Sequence, residues 1–189
     1  MKNMLVYGSK EYAFIIRDLI DYLKCPFTGF IDDFSTGPDI VGNYQYVKAH
    51  YNSDDTQIVI AVGYDNLSAR WNVYQKVKMD YRVITLIHNN AYIRNKSNIG
   101  TGSVIMSNVT IDSNAKVGEM VVAWPGVVIN HDTSIGDNTF LSPNSTICGS
   151  VKIGRNCFIG AGAIITDHIE VADNSFIKAG QVYSKSASY

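Results

Sequence analysis

A six-residue register fixes what most of this chain can become. From Ile87, every sixth residue reads Ile87, Ile93, Ile99, Ile105, Ile111, Val117, Ala123, Ile129, Ile135, Leu141, Ile147, Ile153, Ile159, Ile165, Val171 and Ile177. All but Ala123 are Ile, Leu or Val, and the register never slips. Four residues after each comes a second series: Ala91, Ser97, Ser103, Val109, Ala115, Val121, Val127, Thr133, Thr139, Ser145, Val151, Cys157, Ala163, Ile169 and Ser175. Apart from Ile169 these are small or compact. A period of six suits neither a helix face nor a simple alternating strand. It is a structural repeat, and a repeat decides the architecture.

The physical reading is a hexapeptide β-helix. Each hexad supplies one short strand and one turn, and three hexads complete a triangular coil of about eighteen residues. The aliphatic residue points inward and stacks on its equivalent roughly 4.8 Å along the axis. The second residue also turns inward, where a narrow prism has no room for bulk. Turns such as Ile135-Gly136-Asp137-Asn138 and Ile153-Gly154-Arg155-Asn156 carry residues that tolerate left-handed backbone or bond their own main chain. The hexads amount to about five coils. A sandwich of short strands would space its turns at 8–12 residues and would not hold a strict register.

The first eighty residues follow another pattern. Met4-Leu5-Val6-Tyr7 is a short apolar strand ending at Gly8-Ser9. Residues 11–23 carry Ala13, Phe14, Ile16, Leu19, Ile20 and Leu23 at helical spacing, and Pro26 ends that helix. Phe27-Thr28-Gly29-Phe30-Ile31 is a second strand, closing on Asp32-Asp33, and residues 34–39 form a loop. Residues 57–63 form a strand buried on both faces. A second helix spans residues 66–77, with Asn66 as its N-cap. Residues 82–87 form a fourth strand running into the repeat. Strands alternating with helices make a small Rossmann-like parallel sheet, so the chain divides into residues 1–84, an α/β domain, and residues 85–189, an all-β solenoid. Ligands of such sheets sit beyond the carboxyl ends of the strands. Those ends are Gly8-Ser9-Lys10, Asp32-Asp33 and Gly63-Tyr64. Both readings of these residues stand: ligand contacts, with an acidic strand end suited to a ribose or the N–H edge of a base, or ordinary turn residues. A complete Gly-x-Gly-x-x-Gly is absent, which argues against a dinucleotide cofactor.

Composition closes other routes. With 16 basic and 17 acidic side chains and a net charge of −1, the chain has no nucleic-acid or membrane-surface footprint. The apolar run at the N-terminus is too short for a signal peptide, and no stretch is long enough for membrane insertion. Cys25, Cys148 and Cys157 lack metal-ligand spacing and read as reduced thiols of a cytoplasmic protein.

Gly29-Phe30-Ile31-Asp32-Asp33, Ile60-Ala61-Val62-Gly63 and Asn130-His131-Asp132, set in a small α/β domain followed by uninterrupted hexads, resemble the PglD/NeuD-like sugar N-acyltransferases of bacterial surface-glycan synthesis. The resemblance covers nearly the whole chain. It implies a left-handed parallel β-helix that forms a homotrimer, acetyl-CoA in a groove between neighbouring β-helices, and a nucleotide-linked amino sugar held by the first domain. It implies His131 as general base and Asp132 as its orienting carboxylate. The chain departs from the family after the first strand. There the family has a glycine-rich turn with a histidine, whereas Gly8-Ser9-Lys10-Glu11-Tyr12 lacks the extra glycines and puts Tyr12 in the histidine's place. Two readings of Lys10 stand: contact with a diphosphate, or a solvated surface lysine.

A thioester is already activated, so acyl transfer to an amine needs only a base of near-neutral pKa. Of His50, His88, His131 and His168, only His131 lies mid-solenoid beside a carboxylate. Asn-His-Asp is also good turn chemistry, and the resemblance decides for catalysis. Stacking at eighteen residues places Ser113 and Gly149 beside His131. A glycine there leaves room for the thioester, and its N–H faces the developing oxyanion, a role the resemblance also favours. The small residues Gly160-Ala161-Gly162-Ala163 either leave a groove for pantetheine or are only tight turns, the simpler reading for Gly160, and the resemblance sets Ala179-Gly180 near the coenzyme's adenine end. The site expected from the sequence is therefore His131, Asp132 and Gly149 for catalysis, with Gly149, Ala161, Gly162, Ala179 and Gly180 for acetyl-CoA. Gly8, Ser9, Lys10, Asp32, Asp33, Gly63 and Tyr64 are expected to meet the sugar nucleotide. Trp124, on a turn, is expected to project outward at an interface or a pocket. An O-acetyltransferase of the same fold would use the same base. A γ-type carbonic anhydrase needs three histidines on zinc, and His131 and His168, 37 residues apart, miss the two-coil register. A non-catalytic solenoid would not need the His-Asp pair. No metal is expected.

Overall fold

The structure, a computed structural model, describes residues 2–95 and 98–184. Two compact units meet in sequence between Leu86 and Ile87. Ser97, expected in the inward series, lies outside the described residues.

The first unit is built on a parallel sheet of five strands in the order β3-β2-β1-β4-β5. These are β1 (Asn3–Tyr7), β2 (Phe27–Ile31), β3 (Ile40–Gly42), β4 (Thr56–Ile60) and β5 (Arg82–Val83). Its centre is aliphatic: Leu5, Val6, Ile31, Ile58, Val59 and Ile60 are fully buried. Helix α1 (Glu11–Tyr22) buries Ala13, Ile16, Leu19 and Ile20 of the face the spacing predicts, whereas Phe14 is exposed. Helix α3 (Leu67–Val77) starts as expected, with the Asn66 side chain accepting from the Ala69 N–H at 2.9 Å. Two elements were not expected: β3 and helix α2 (Tyr44–His50), capped by Asn43. The strand expected over residues 82–87 is two pieces. Arg82–Val83 joins this sheet, whereas Leu86–Ile87 joins a sheet of the solenoid.

The second unit is a left-handed parallel β-helix. Its two-residue strands fall into three sheets of six, six and four strands among the described residues, with partners eighteen apart, as in Val122↔Val104 and Ile129↔Ile147. The second residue of each strand is the inward aliphatic. From Ile105 to Ile177 the whole six-step series packs into one buried cluster, Ala123 included, and Ile169 of the second series joins it. The second series shows why a narrow prism takes Ser and Thr. The buried Thr133 hydroxyl donates to the Cys148 carbonyl at 2.8 Å and accepts from Val151 N–H at 3.3 Å. Thr139 does the same with Gly154 and Cys157, and Ser103 with Gly118 and Val121. These three hydroxyls thus satisfy themselves by stitching one coil to the next.

From residue 102 to residue 180 each corner carries one residue in left-handed backbone. Asn is commonest there, at Asn108, Asn114, Asn138, Asn144, Asn156 and Asn174, since its side chain tolerates that region. Asp132 holds one such position (φ 58°), and His168 holds the same position two coils on. The glycine of Ile135-Gly136 serves another end: a Cβ there would lie 2.5 Å from the Gly154 backbone, so the coils touch at that point.

Candidate active site

One solenoid corner stacks Ser113, His131, Gly149 and Asp167, each eighteen residues apart. Beside it run Asn114, Asp132, Ser150 and His168. The column is held by backbone bonds from Asp132 N–H to Ser113 C=O, Ser150 N–H to His131 C=O and His168 N–H to Gly149 C=O, at 3.0, 3.0 and 3.1 Å. His131 Nδ1 lies 2.9 Å from Asp132 Oδ2. Asp132 Oδ1 accepts from Asn114 Nδ2 at 3.0 Å, so the carboxylate is tied on both oxygens. A ring nitrogen facing a carboxylate carries the proton, which leaves Nε2 with its lone pair. The imidazole is 58% exposed and able to meet a substrate. The hydrogen bond to Asp132 raises its pKa above the ordinary 6.5, with the charges of Asp132, Asp112 and Asp167 acting in the same sense. The same bond, with that from Asn114, lowers the pKa of Asp132.

Gly149 lies beside His131, as the eighteen-residue spacing predicts. A Cβ on Gly149 would sit 2.7 Å from His131 Cε1 and 2.8 Å from Nε2, so this glycine makes room for the imidazole itself. Its N–H is already engaged, donating to Asp167 Oδ1 at 2.8 Å. Asp137 and Asp173 clip the N–H groups of Glu119 and Arg155 in the same way at another corner. The N–H expected to face an oxyanion thus donates to a carboxylate that recurs as a corner clip.

At the neighbouring corner, Ala161, Gly162, Ala179 and Gly180 are exposed, and a Cβ at Gly162 or Gly180 would meet nothing within 4 Å. Trp124 is half-buried. Its ring sits 6.0 Å from that of Phe140, which begins a stack through Phe158 (5.9 Å) and Phe176 (4.9 Å) along one outer face. A cleft lined by His168, Ile169, Glu170, Tyr183 and Ser184 shares no residue with the His131–Asp132 pair. Among the described residues no three His, Cys, Asp or Glu side chains group as metal ligands. No described helix is long and apolar enough to cross a membrane.

In the first unit the strand ends gather as expected, but their carboxylates are taken up within the protein. Asp32 Oδ1 accepts from the N–H groups of Phe34 and Ser35 at 2.8 Å each, and Oδ2 accepts from the Ser9 hydroxyl. Asp33 is a brace: it accepts from Tyr44 N–H at 2.8 Å and from Tyr7 Oη at 2.6 Å, with Lys76 Nζ 3.8 Å away. Burial and then this carboxylate raise the Tyr7 pKa. Lys10 Nζ donates to Ser35 Oγ at 3.1 Å and stays exposed at the start of α1. Gly8 has φ +119°, and a Cβ there would meet the Ala61 carbonyl oxygen at 2.7 Å, so β1 and β4 end in close contact. Nothing stands within 4 Å of a Cβ at Gly63, and Tyr64 is exposed. Tyr12, in place of the family histidine, has its hydroxyl group's pKa pushed up to about 12 by burial, opposed by the charge of Arg70. It is not a free group at the turn. Sequence reasoning missed Asn114 and Asp167. Both lie one coil from a residue it named, and the eighteen-residue spacing was the signal that pointed to them.

A parallel β-helix with a histidine–carboxylate pair stacked on a glycine defines the chain as a hexapeptide-repeat solenoid protein with a candidate acid–base site. Residues 85–187 match the family described as the GMPPB C-terminal domain, and the chain belongs to that family. No curated protein sequence matches it. Solved structures with the same fold include the acetyltransferase domain of PglB from Neisseria gonorrhoeae FA1090 in complex with acetyl coenzyme A. It is 21% identical with a TM-score of 0.88, and the match covers 97% of this chain and 91% of that one. PerB from Caulobacter crescentus, in complex with CoA and GDP-perosamine, is 20% identical with a TM-score of 0.85, covering 95% and 87%. WeeI from Acinetobacter baumannii AYE is 19% identical with a TM-score of 0.60, covering 97% of each chain.

Proposed function

We propose that this protein is an N-acetyltransferase that moves the acetyl group of acetyl-CoA onto the amine of a nucleotide-linked amino sugar. One observation carries the reading: a single corner presents an imidazole whose Nδ1 is fixed on a carboxylate at 2.9 Å and whose side chain is more than half exposed. The acetyl-CoA and GDP-perosamine bound to PglB and PerB in structures of this fold supply the substrate classes.

In the reaction the neutral amine attacks the thioester carbonyl carbon and a C–N bond forms. His131 Nε2 takes the proton from the nitrogen, and Asp132 stabilises the imidazolium. The C–S bond then breaks and the proton passes to the departing thiolate, giving an amide and free CoA. Gly149 keeps the imidazole's place clear. The open corner of Ala161, Gly162, Ala179 and Gly180 lets pantetheine and the nucleotide end of CoA lie against backbone. Gly8, Ser9, Lys10, Gly63 and Tyr64, at the strand ends of the first unit, receive the sugar nucleotide. Lys10 and the exposed start of α1 offer positive charge to its diphosphate. Asp32 and Asp33 act from behind by holding those ends. Neighbouring chains close the acetyl-CoA groove in a homotrimer. Both substrates belong to the cytoplasm and the product to polysaccharide assembly.

The test is release of CoA thiol with a panel of nucleotide-linked amino sugars, for wild type and for His131→Ala. Release by wild type and none above background by the variant is expected. Equal rates for the two would remove His131 from the mechanism.

A further inference from the structure

Phe34 is 99% exposed, a large apolar side chain standing free of the surface it belongs to. Exposed phenyl rings are common on mobile loops, but the backbone beneath this one is tied down. The N–H groups of Phe34 and Ser35 both donate to Asp32 Oδ1 at 2.8 Å, which folds the chain tightly over the aspartate. The other carboxylate oxygen is held by the Ser9 hydroxyl, and Ser35 Oγ accepts from Lys10. The Phe34 loop is thus bound through side chains to the turn between β1 and α1.

The sheet order makes that link meaningful. β2 lies directly beside β1, so the loop after β2 and the turn after β1 are neighbours at the carboxyl edge of the sheet. A ligand whose phosphates rest on the turn at Gly8-Ser9-Lys10 lays its next group across the end of an adjacent strand. At the end of β2 a carboxylate commonly meets a ribose. Here Asp32 spends both oxygens on the protein, and what the strand end offers instead is the flat face of Phe34.

From this placement we infer that Phe34 is the platform on which the base of the sugar nucleotide stacks. The inference rests on the proposal that the first unit binds a nucleotide, and it names the group that holds the base. Every base has a π-face, so a phenyl ring supplies affinity without choosing between purine and pyrimidine. The two ring faces are open, and no packing is lost when the side chain is cut back.

The experiment measures binding of UDP, dTDP and GDP, and of inorganic pyrophosphate as the probe without a base, by titration calorimetry on the full chain. Wild type, Phe34→Ala and Phe34→Trp are compared. Phe34→Ala is expected to raise the nucleotide Kd about 10- to 100-fold, the loss of one base–aromatic stack. It should leave pyrophosphate and acetyl-CoA binding and the melting temperature unchanged. Phe34→Trp should restore nucleotide binding and add an indole emission that nucleotide quenches. If wild type binds the nucleotides and Phe34→Ala binds them equally well, the platform is overturned while the nucleotide-binding reading stands. Equal weakening of nucleotide and pyrophosphate would also overturn it, since the loop rather than the stack would then have failed. If wild type binds no nucleoside diphosphate, the reading of the first unit fails and takes the platform with it.

Discussion

With His131 as the proposed base and Asp132 as its carboxylate, these two side chains set the pH behaviour of the proposed transfer. The Asp132 carboxylate stabilises the imidazolium, so the folded pKa lies above 6.5. A general base works as neutral imidazole. The acidic limb of kcat/KM for the proposed transfer therefore falls above 6.5, and activity rises as pH passes through the raised value. Asp132→Asn removes the charge, and the midpoint should move down towards 6.5 in a pH–rate profile. An unmoved midpoint would mean that another group titrates. The effect on stability has the opposite sense. The raised histidine pKa contributes fully below 6.5 and is lost as pH rises through the folded value, whereas the lowered Asp132 pKa contributes above 3.8 and is lost in acid. With both side chains more than half exposed, solvent screens the pair, and melting temperature should be nearly flat between those limits.

At the scale of the corner and coil, Gly149 separates space from backbone conformation. Its backbone lies outside the left-handed region, so alanine is conformationally acceptable there. The atoms nearest the added methyl are the movable end of His131, at 2.7 Å, and the Asp167 carboxylate, at 3.3 Å. Gly149→Ala should thus fold with a melting temperature close to wild type while kcat falls on the order of 100-fold, the cost of displacing the proposed base by about 1 Å. A variant that unfolds instead would show that the glycine serves the coil. The core behind the corner has no such freedom. Ile129 is fully buried between Ile111 and Ile147. Ile129→Ala should lower unfolding free energy by about 2–5 kcal/mol in denaturant titration, because flanking coils locked in register cannot close the gap. That strictness also explains what the sequence revealed. A prism one side chain wide leaves its period in every hexad, so the solenoid was legible down to the strand pairs. β3 was not, being three half-buried residues without alternation, nor was α2, whose seven residues bury only Tyr44 and Val47. The His131–Asp132 pair was legible because the two are adjacent in sequence. The capture of the Gly149 N–H by Asp167 was not, since an aspartate at a corner reads as turn chemistry until the next coil is laid on it.

For the whole molecule, the late coils carry apolar side chains on their outer faces. Phe176 is 66% exposed, Val182 58% and Ile164 39%, and Ile164 and Val182 are partners on neighbouring strands. They flank the open corner of Gly162 and Gly180, so a chain packing there would both cover them and wall a groove for acetyl-CoA. The proposed homotrimer makes two measurements move together. Light scattering should report three chains per particle for wild type, and the melting temperature should rise with protein concentration, because association stabilises by mass action. Ile164→Asp/Val182→Asp puts two carboxylates into the seam, where burying an unpaired charge is costly. Both substituted side chains point away from the core cluster, so each chain should keep its β-sheet circular dichroism. The variant should run as a monomer and lose affinity for acetyl-CoA at least tenfold, while nucleoside diphosphate binding to the first unit stays as in wild type. A wild-type monomer, or a monomeric variant that binds acetyl-CoA as tightly as before, would place the whole coenzyme site within a single chain.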